Sequence, residues 1–343
     1  MKITINEVAK KANVSKTTIS RYLNGKYKYM SNETKEKIKN VIEELEYIPN
    51  GMARSIKNKQ SKIIGLTIAD MDNQFSTYIF KGISEICKKK GYRLLVTEIN
   101  GSEEDEIEAI DTLISYNIDG LIINTTGSND DYIIKLKNEK SIPIVLADRS
   151  IYKSNIIDTV TSNNYSITYE TMEHLHENNY DLVAFFSYAL NNNIRNLRYK
   201  AYFEALKNIF DISEDKYTYI YDENCEDELE DKLGEYLNSN KDKRKAIFCM
   251  NGKVLLQILK ALKRKGYDIE RDDIGICSFD DWGWVEIADK NGITAINQKS
   301  YECGKRCAEL IFDRIENKNK EIEYIELPAK LIVRGSTTNR RNE

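Results

Sequence analysis

Histidine is almost absent from this chain, which has two in 343 residues. His174 and His176 are two positions apart, so a helix would point them to different sides. We therefore expect no histidine-ligated metal, and no cofactor. The six cysteines include no C-x-x-C pair, and Cys249 and Cys277 lie in apolar runs that are typical of strands. The cysteines are expected to be reduced thiols of the core.

Long apolar runs and common enzyme motifs are also missing. No segment approaches the roughly 18 consecutive apolar residues of a membrane-spanning helix. The first residues, MKITINEVAKK, lack the apolar stretch of a signal peptide, so we expect a cytoplasmic protein without a membrane partner. The patterns G-x-G-x-x-G, G-x-S-x-G and G-K-[ST] do not occur, and nothing indicates an enzyme with a phosphate loop or an activated serine.

The small net charge of −4 conceals an uneven distribution of charge. Residues 1–62 contain 14 Lys and Arg against 6 Asp and Glu, whereas the remainder contains 37 against 49. Phosphate neutralisation needs local rather than global positive charge, so this distribution favours a nucleic-acid-binding segment attached to an acidic body. The alternative is a basic helical hairpin that only keeps the protein soluble.

The first 48 residues have the pattern of three short helices. Thr4 and Glu7 form a T-x-x-E capping box before a helix of about residues 5–12. Asn13 follows where a tight turn needs a residue that tolerates positive φ. Ser15 can cap a second helix, and SNETKEKIKNVIEELEYIPN supplies a third with one apolar stripe. This order predicts a helix-turn-helix.

The second predicted helix has a face suited to DNA. Ile19 and Leu23 are four positions apart and point inward, which leaves the polar side chains outside. Short hydroxyl groups let the backbone approach the duplex, while Lys16 and Arg21 can reach base acceptors or phosphates. A three-helix domain without a DNA role would show the same periodicity. The predicted DNA-contacting residues are Thr4, Ser15, Lys16, Thr17, Thr18, Ser20, Arg21 and Asn24.

From residue 61 onward, short apolar runs alternate with helical patterns. The predicted strands are KIIGLTIA, YRLLVTE, IDGLIIN, IPIVLAD, DLVAFFS, YTYIYD, KAIFCMN, DIGICSFD and TAINQ. The predicted helices are 76–90, 103–116, 165–178, 194–209, 252–265 and 300–316. Mostly continuous hydrophobicity indicates parallel strands buried on both faces, and the acidic runs SEEDEIEAID and DENCEDELEDK indicate solvated helix faces. The sequence thus predicts two doubly wound α/β lobes.

Chemically apt side chains stand at the ends of several strands, where ligands bind in open α/β sheets. Asp148 ends IPIVLAD, Asn251 ends AIFCMN and Asp280 ends GICSFD, while Arg198 lies in a helix. Carboxylates accept hydroxyl hydrogens, and an arginine fork grips hydroxyls or a carboxylate. The alternatives are turn and cap roles for the strand-end residues and a surface ion pair for Arg198.

ITINEVAKKANVSKTTISRYLNG, followed by EYIPNGMARSIKNKQSKIIGL, closely resembles the N-terminus of LacI/GalR-family transcriptional repressors. The resemblance implies a helix-turn-helix over residues 1–48, a hinge helix and linker over 49–61, and a periplasmic-binding-protein-like body over 62–343. We expect one lobe to contain 62–160 with a returning segment near 293–325, and the other to contain 161–292 with the C-terminal end.

The family's hinge helix inserts an apolar side chain into the minor groove, and the matching residues here are Asn50, Ala53 and Ile56. The resemblance also supports Asp148, Arg198, Asn251 and Asp280 as effector-binding residues. It adds Phe75 in the first lobe, and Trp282 stands close after Asp280, although a place in the core or in a subunit contact is an equal alternative for Trp282.

FDDWGWVEIADKNGITAINQ is similar to the matching stretch of members that respond to sugar acids such as 2-keto-3-deoxygluconate. For an acidic effector, Arg198 would hold the carboxylate, and Asp148 and Asp280 would hold hydroxyls. A neutral sugar would suit the same residues.

The resulting prediction is a repressor that binds a pseudo-palindromic operator and responds to a sugar or sugar acid. NRRNE follows the last strand without apolar heptads, so a homodimer is expected. A solute receptor of the same fold and a sugar-acid enzyme are the alternatives. The receptor would predict a signal peptide and no helix-turn-helix, and the enzyme would predict a catalytic motif.

Overall fold

The computed structural model describes residues 3–28, 30–47, 60–99, 102–152, 156–239 and 241–338. The chain divides into two units, residues 1–61 and 62–343. The predicted hinge residues Asn50, Ala53 and Ile56 lie outside the described residues.

Three helices make up the described part of the first unit: α1 (Ile5–Ala12), α2 (Lys16–Leu23) and α3 (Asn32–Glu44). The capping box of α1 is confirmed, because the Glu7 N–H donates to Thr4 Oγ1 and the Thr4 N–H donates to the Glu7 carboxylate at 2.6 Å. Asn13 has φ 53° and ends α1, as its position predicts. Ser15 caps α2 by accepting from the Thr18 N–H at 3.1 Å.

The core of this unit is small and is shared by all three helices. Val8 and Ala12 of α1, Ile19 of α2 and Ile38 of α3 have no exposed surface and pack in one cluster. Because Ile19 is buried in this cluster, the opposite face of α2 points outward.

The second unit contains two six-stranded sheets. The first has the order β11-β5-β4-β3-β1-β2 and is parallel throughout, and the second has the order β12-β10-β9-β8-β6-β7 and is parallel except for β12, which runs antiparallel to β10. The strands are β1 (Ile63–Ile68), β2 (Arg93–Glu98), β3 (Gly120–Ile123), β4 (Ile144–Ala147), β5 (Asp158–Ser162), β6 (Leu182–Ser187), β7 (Thr218–Ile220), β8 (Lys245–Cys249), β9 (Ile274–Phe279), β10 (Thr294–Asn297), β11 (Tyr324–Leu327) and β12 (Lys330–Ile332).

Eight helices of the described residues cover these sheets. They are α4 (Gln74–Lys89), α5 (Glu103–Ser115), α6 (Asp130–Glu139), α7 (Asn164–Glu177), α8 (Asn193–Ile209), α9 (Glu226–Asn238), α10 (Gly252–Lys265) and α11 (Ser300–Glu316). The six helices that periodicity predicts differ from the observed ones by at most two residues at either end. The continuous apolar runs form fully buried strands, as β6 and β9 show.

Three short segments connect the two lobes: Asn163 after β5, Gln298 and Lys299 after β10, and residues 328–329 between β11 and β12. Hydrogen bonds join these segments, since Ser162 Oγ donates to Gln298 O at 3.1 Å and the Ala329 N–H donates to Asn163 Oδ1 at 2.7 Å. The predicted return near residue 293 is wrong, because β10 pairs with β9 in the second sheet. The chain re-enters the first lobe only with α11.

β5 and α6 correspond to no predicted segment. β11 and β12 lie in YIELPAKLIVRGST, whose proline and strand character indicates a final crossover, and α9 overlaps the acidic run DENCEDELEDK. Four of the five side chains of β5 are polar, yet the whole strand is buried. Burial of Asp158 is possible because both of its carboxylate oxygens accept hydrogen bonds from Arg314, at 2.5 and 2.9 Å. A buried strand whose polar groups find partners elsewhere in the chain leaves no apolar pattern in the sequence.

Five cysteines are buried, whereas Cys225 is exposed, so the prediction of core thiols is wrong for Cys225. It precedes the acidic helix α9 rather than a core strand. Within the described residues, no helix combines the length and apolar character that crossing a membrane would need.

Two glycines allow α4 and α11 to approach each other closely. A Cβ atom on Gly304 would lie 2.1 Å from the Ile79 carbonyl oxygen, and one on Gly82 would lie 2.2 Å from the Tyr301 carbonyl oxygen. Both neighbours are backbone atoms, so a larger residue would force the two helices apart.

We expect Gly304→Ala to lower the free energy of unfolding by about 3 kcal/mol, at the upper end of typical overpacking costs. Urea unfolding followed by circular dichroism measures the change. Gly234→Ala is the matched control: a Cβ there would meet nothing closer than Lys265 Nζ at 3.8 Å, so it should stabilise α9 by about 0.5–1 kcal/mol. Equal midpoints for both variants would contradict the close helix contact.

Candidate functional site

A cavity of about 680 Å³ lies between the two lobes of the second unit. Residues that follow strands of both sheets line it, including Asp148 after β4, Tyr188 after β6 and Asp280 after β9. The carboxyl ends of the parallel strands in both lobes thus face one space, where ligands bind in α/β folds of this kind.

Five of the six predicted effector-binding residues line this cavity: Phe75, Asp148, Arg198, Asn251 and Asp280. Trp282 is the exception. It is buried, its ring would lie 2.7 Å from a Cβ on Gly252, and it packs edge-on against Trp284 with ring centroids 6.1 Å apart. The structure therefore places Trp282 behind the cavity wall, where it packs against the first residue of α10, and not in the lining.

Phe75 and Asn251 stand at helix starts. Phe75 is the second residue of α4, and its N–H donates to the N-cap residue Asn73 at Oδ1, 3.0 Å away, which fixes the start of the helix at the wall. Asn251 caps α10 by accepting from the Val254 N–H at 2.9 Å. Asn251 Oδ1 therefore has the helix-cap role that the sequence analysis gives as the alternative to ligand binding. Its Nδ2 hydrogens make no hydrogen bond within the described residues.

Arg198 is held by three oxygen acceptors. Its Nε donates to Asn164 Oδ1 at 2.8 Å, its Nη1 to Met250 O at 2.8 Å and its Nη2 to Gln298 Oε1 at 2.7 Å. The guanidinium also stacks on the Phe279 ring, 3.6 Å from the centroid. Of five N–H groups, two remain to donate into the cavity. Burial lowers the pKa of Arg198 to about 10, and the nearby Asp280 and Asp148 raise it in part.

Asp280 accepts two hydrogen bonds, from the Gly252 N–H at 3.0 Å and from Gln298 Nε2 at 2.5 Å. Asp148 is 7% exposed, and its Oδ1 has no hydrogen-bond partner among the described residues. Both residues have φ above +70°, a strained conformation for aspartate that is concentrated at functional sites. Burial raises the pKa of both carboxyls. Arg149 and then Arg198 oppose the rise for Asp148, and Arg198 opposes it for Asp280.

Several further lining residues are missing from the sequence prediction: Asp70, Asn124, Arg149, Tyr188, Arg195, Tyr221, Lys253 and Gln298. Gln298 ends the predicted strand TAINQ, so its position after a strand was the available signal. Arg149 directly follows Asp148 and offers the same signal. Tyr221 follows β7, but tyrosine is as common in a core as in a binding site, and nothing local distinguishes the two roles.

Tyrosines form one wall of the cavity. Tyr188 and Tyr221 pack edge-on with ring centroids 5.4 Å apart. Both hydroxyls donate to Gln257 Oε1, at 2.9 and 2.7 Å, and Gln257 Nε2 donates to Glu223 O at 2.9 Å. The rings are therefore fixed and can stack against an apolar face of a ligand.

A buried carboxylate supports the opposite wall. Glu106 of α5 has no exposed surface, and its oxygens accept from the Thr126 N–H, the Thr126 hydroxyl and Asn129 Nδ2. The prediction that the run SEEDEIEAID is a solvated face is therefore wrong at Glu106. Its burial is stable because three donors surround it, and it fixes the loop whose Thr126 carbonyl accepts from Arg149.

Two side-chain contacts cross the cavity mouth from one lobe to the other. Lys253 Nζ lies 2.8 Å from Asp70 Oδ2, and Asn193 Nδ2 donates to Ser150 Oγ at 2.6 Å. Any ligand-dependent change in lobe closure has to alter these contacts.

The first unit presents a separate polar surface on α2. Thr4, Ser15, Lys16, Thr17, Arg21 and Asn24 are exposed, and Thr18 and Ser20 are half-buried. Ser15 and Thr18 bond to each other at the helix start, and Asn24 Nδ2 donates to Ser20 O. Within the described part of the chain, the side chains of Lys16, Thr17 and Arg21 have no hydrogen bond or ion pair. These three are free to bind a partner.

Comparison with known proteins gives matches over both units. A family model described as bacterial regulatory proteins, lacI family, matches residues 4–50, and one described as periplasmic binding proteins and sugar binding domain of LacI family matches residues 61–334. The HTH-type transcriptional regulator KdgR of Bacillus subtilis (strain 168) is 34% identical over 333 residues, 97% of each chain. The HTH-type transcriptional regulator PtxS of Pseudomonas putida is 32% identical over 344 residues, 98% of this chain and 96% of its own.

Among solved structures, the lac repressor dimer bound to operator and the anti-inducer ONPF superposes with a TM-score of 0.83 and 22% identity. The match covers 98% of this chain and all of that one. At this identity the likeness establishes the fold.

Proposed function

Because the chain belongs to the LacI family of transcriptional regulators, we propose that it is a repressor whose homodimer binds a pseudo-palindromic operator. A sugar or sugar acid binds in the cavity between the lobes and changes operator affinity. Two copies place two α2 helices about one helical turn of DNA apart, which matches a two-fold operator. Operator binding also requires access to the chromosome, so the proposal places the protein in the cytoplasm.

The hydrogen bonds of Gln298 are the observation that supports the proposed ligand response. Gln298 belongs to a segment that connects the lobes, and it donates to Asp280 and accepts from Arg198. A ligand that bonds to Arg198 or Asp280 therefore acts on residues attached to the connection itself. A ligand that binds one lobe arrangement more tightly than another shifts the population toward it. The named relatives are transcriptional regulators, which favours this role over that of a receptor or a sugar-acid enzyme.

Hinge residues Asn50, Ala53 and Ile56 complete the proposed DNA contact. An apolar side chain such as that of Ile56 can unstack a base step in the minor groove, at a cost of a few kcal/mol that the added contacts offset.

Selection from a random duplex library tests the DNA part of the proposal. The full chain should enrich sequences with two-fold symmetry, and a chain that begins at residue 62 should enrich none. Enrichment of sequences without symmetry would contradict the homodimer. A thermal-shift screen of sugars and sugar acids on the full chain tests the effector part, because a ligand at 100 times its Kd stabilises by about 2.7 kcal/mol.

A further inference from the structure

Two arginines from opposite lobes line the same cavity. Arg149 follows β4 of the first lobe, and Arg195 lies in the first turn of α8 of the second lobe. Arg149 Nη1 donates to Thr125 O at 2.8 Å, and Arg195 Nη1 donates to Ala189 O at 2.7 Å and Asn191 Oδ1 at 2.9 Å. Neutral oxygens thus fix both guanidinium groups without neutralising their charge.

Neither arginine forms an ion pair within the described residues, and the Nε and Nη2 groups of both make no hydrogen bond there. The two charges affect each other, because burial and then the charge of Arg149 lower the pKa of Arg195 to about 10. Like charges in a partly buried space repel, which is unfavourable unless something negative lies between them.

The acidic residues of the cavity supply that neutralisation only in part. Asp70 pairs with Lys253, and Glu228 pairs with Lys232 at 2.6 Å. Glu223 is exposed, so water screens its attraction to Arg195. The charge of Asp148 is shared between two cations, because Arg149 and then Arg198 oppose the rise in its pKa, and Asp280 lies near Arg198.

We propose that Arg149 and Arg195 form an anion subsite that holds a carboxylate or phosphate group of the effector. The subsite rests on the proposed effector role of the cavity and names the chemical class of ligand. The sequence prediction gives the effector carboxylate to Arg198, whereas this proposal gives it to Arg149 and Arg195. Arg198 has three of its five N–H groups engaged, so it is suited to hydroxyl groups, together with the unpaired Asp148 Oδ1.

The subsite gives a reason for ligand-dependent closure. Without an anion, the charges of Arg149 and Arg195 oppose the approach of the lobes. An anion held by both replaces repulsion with two attractions, so it binds the closed arrangement more tightly than the open one. A neutral sugar lacks this difference in affinity between the two arrangements.

Calorimetric titration of the full chain with matched ligand pairs tests the subsite. The pairs are D-gluconate and D-glucitol, D-glucuronate and D-glucose, D-galacturonate and D-galactose, and glucose 6-phosphate and glucose. Each pair exchanges one anionic group for a hydroxymethyl or hydroxyl group. We expect the charged member of at least one pair to bind about 10- to 100-fold more tightly, the range for charge-assisted hydrogen bonds. The pair that shows the preference identifies the group as carboxylate or phosphate.

Variants connect that preference to the two arginines. Arg149→Gln and Arg195→Gln should each reduce it about 10-fold while changing the affinity for the neutral member little, and Arg149→Lys and Arg195→Lys should retain part of it. Arg271→Gln removes the same charge from the second lobe at an exposed site paired with Asp272, and should leave the preference unchanged.

Equal affinity for both members of every pair would overturn the anion subsite, while the proposal that the cavity binds the effector would be retained. An undiminished preference in the double Gln variant would overturn it as well. Binding of no ligand from any pair would overturn the subsite together with the proposed effector class.

Discussion

Replacement of both Lys16 and Arg21 with alanine should weaken operator binding roughly 1,000-fold at about 0.1 M salt. A homodimer loses four cationic side chains, and a lost phosphate or base contact costs about 1 kcal/mol or more. Because Lys16 and Arg21 have no partner in the described part of the chain, their loss removes no contact within the protein. The stability of the first unit should therefore be unchanged.

The salt dependence of binding separates the two kinds of contact. Each phosphate contact contributes about 0.9 to the slope of log affinity against log salt. Fluorescence anisotropy at several salt concentrations should show a slope shallower by up to about 3.6 if all four side chains contact phosphates. A smaller change in slope with the same loss of affinity indicates base contacts, which the sequence allows for both Lys16 and Arg21.

Lys37→Ala with Lys39→Ala is the matched control, since both lysines are exposed on α3 and the charge change is identical. This control should cost roughly 10-fold or less, because only long-range attraction is lost. If the two double variants weaken binding equally, α2 is not the recognition helix.

The first unit shows how much local pattern can predict. The capping box at Thr4, the left-handed Asn13 and the inward Ile19 each depend on neighbours within a few residues, so the sequence contains all the information needed. The strands of the second unit were predictable for a similar reason. A strand buried on both faces is a continuous apolar run, and the alternation of strands and helices indicates parallel sheets.

Contacts between distant segments were not predictable from pattern. Asp158 can lie in a buried strand because Arg314, 156 residues later in the chain, neutralises its charge. Glu106 is buried although it lies in a run predicted to be a solvated helix face, because Thr126 and Asn129 donate hydrogen bonds to it. In each case the local signal is polar, and the compensating partner is visible only in three dimensions.

The same difference between local patterns and long-range contacts applies to the residues of the candidate site. Asp148, Asn251 and Asp280 were predictable because strand ends form the ligand edge of an α/β sheet. The pairing of Arg149 with Arg195 was not, because it depends on how two lobes face each other. Trp282 was misplaced because a residue two positions after Asp280 turns away from the cavity to pack against Gly252.

Asp280→Asn should abolish the effector response while operator affinity stays within about 3-fold of the wild type. The carboxylate accepts from the Gly252 N–H at the start of α10 and from Gln298 in the connection between lobes. It also lies close enough to Arg198 to raise the pKa of that guanidinium. Asparagine retains the shape and one acceptor oxygen but removes the charge, and hydrogen bonds to a charged group are worth about 1.5–3 kcal/mol.

Loss of the charge should affect both effector binding and lobe closure, because Gln298 joins Asp280 to Arg198. We therefore expect effector affinity to fall at least 100-fold, the sum of about two such bonds. The measurement is operator binding by anisotropy as a function of the compound that gives the largest thermal shift with wild-type protein. Asp280→Ala should show the same loss with lower stability, since it also leaves the Gly252 N–H without its acceptor.

Asp222→Asn provides the control for this prediction. Asp222 lines the same cavity but is exposed, and within the described residues its carboxylate accepts only from Asn224 of its own turn. Its substitution should change the response less than about 3-fold, because water already screens that charge. A wild-type response from Asp280→Asn would remove Asp280 from the effector site. Equal losses in both variants would mean that the cavity responds to its total charge rather than to the bonds that connect Asp280, Gln298 and Arg198.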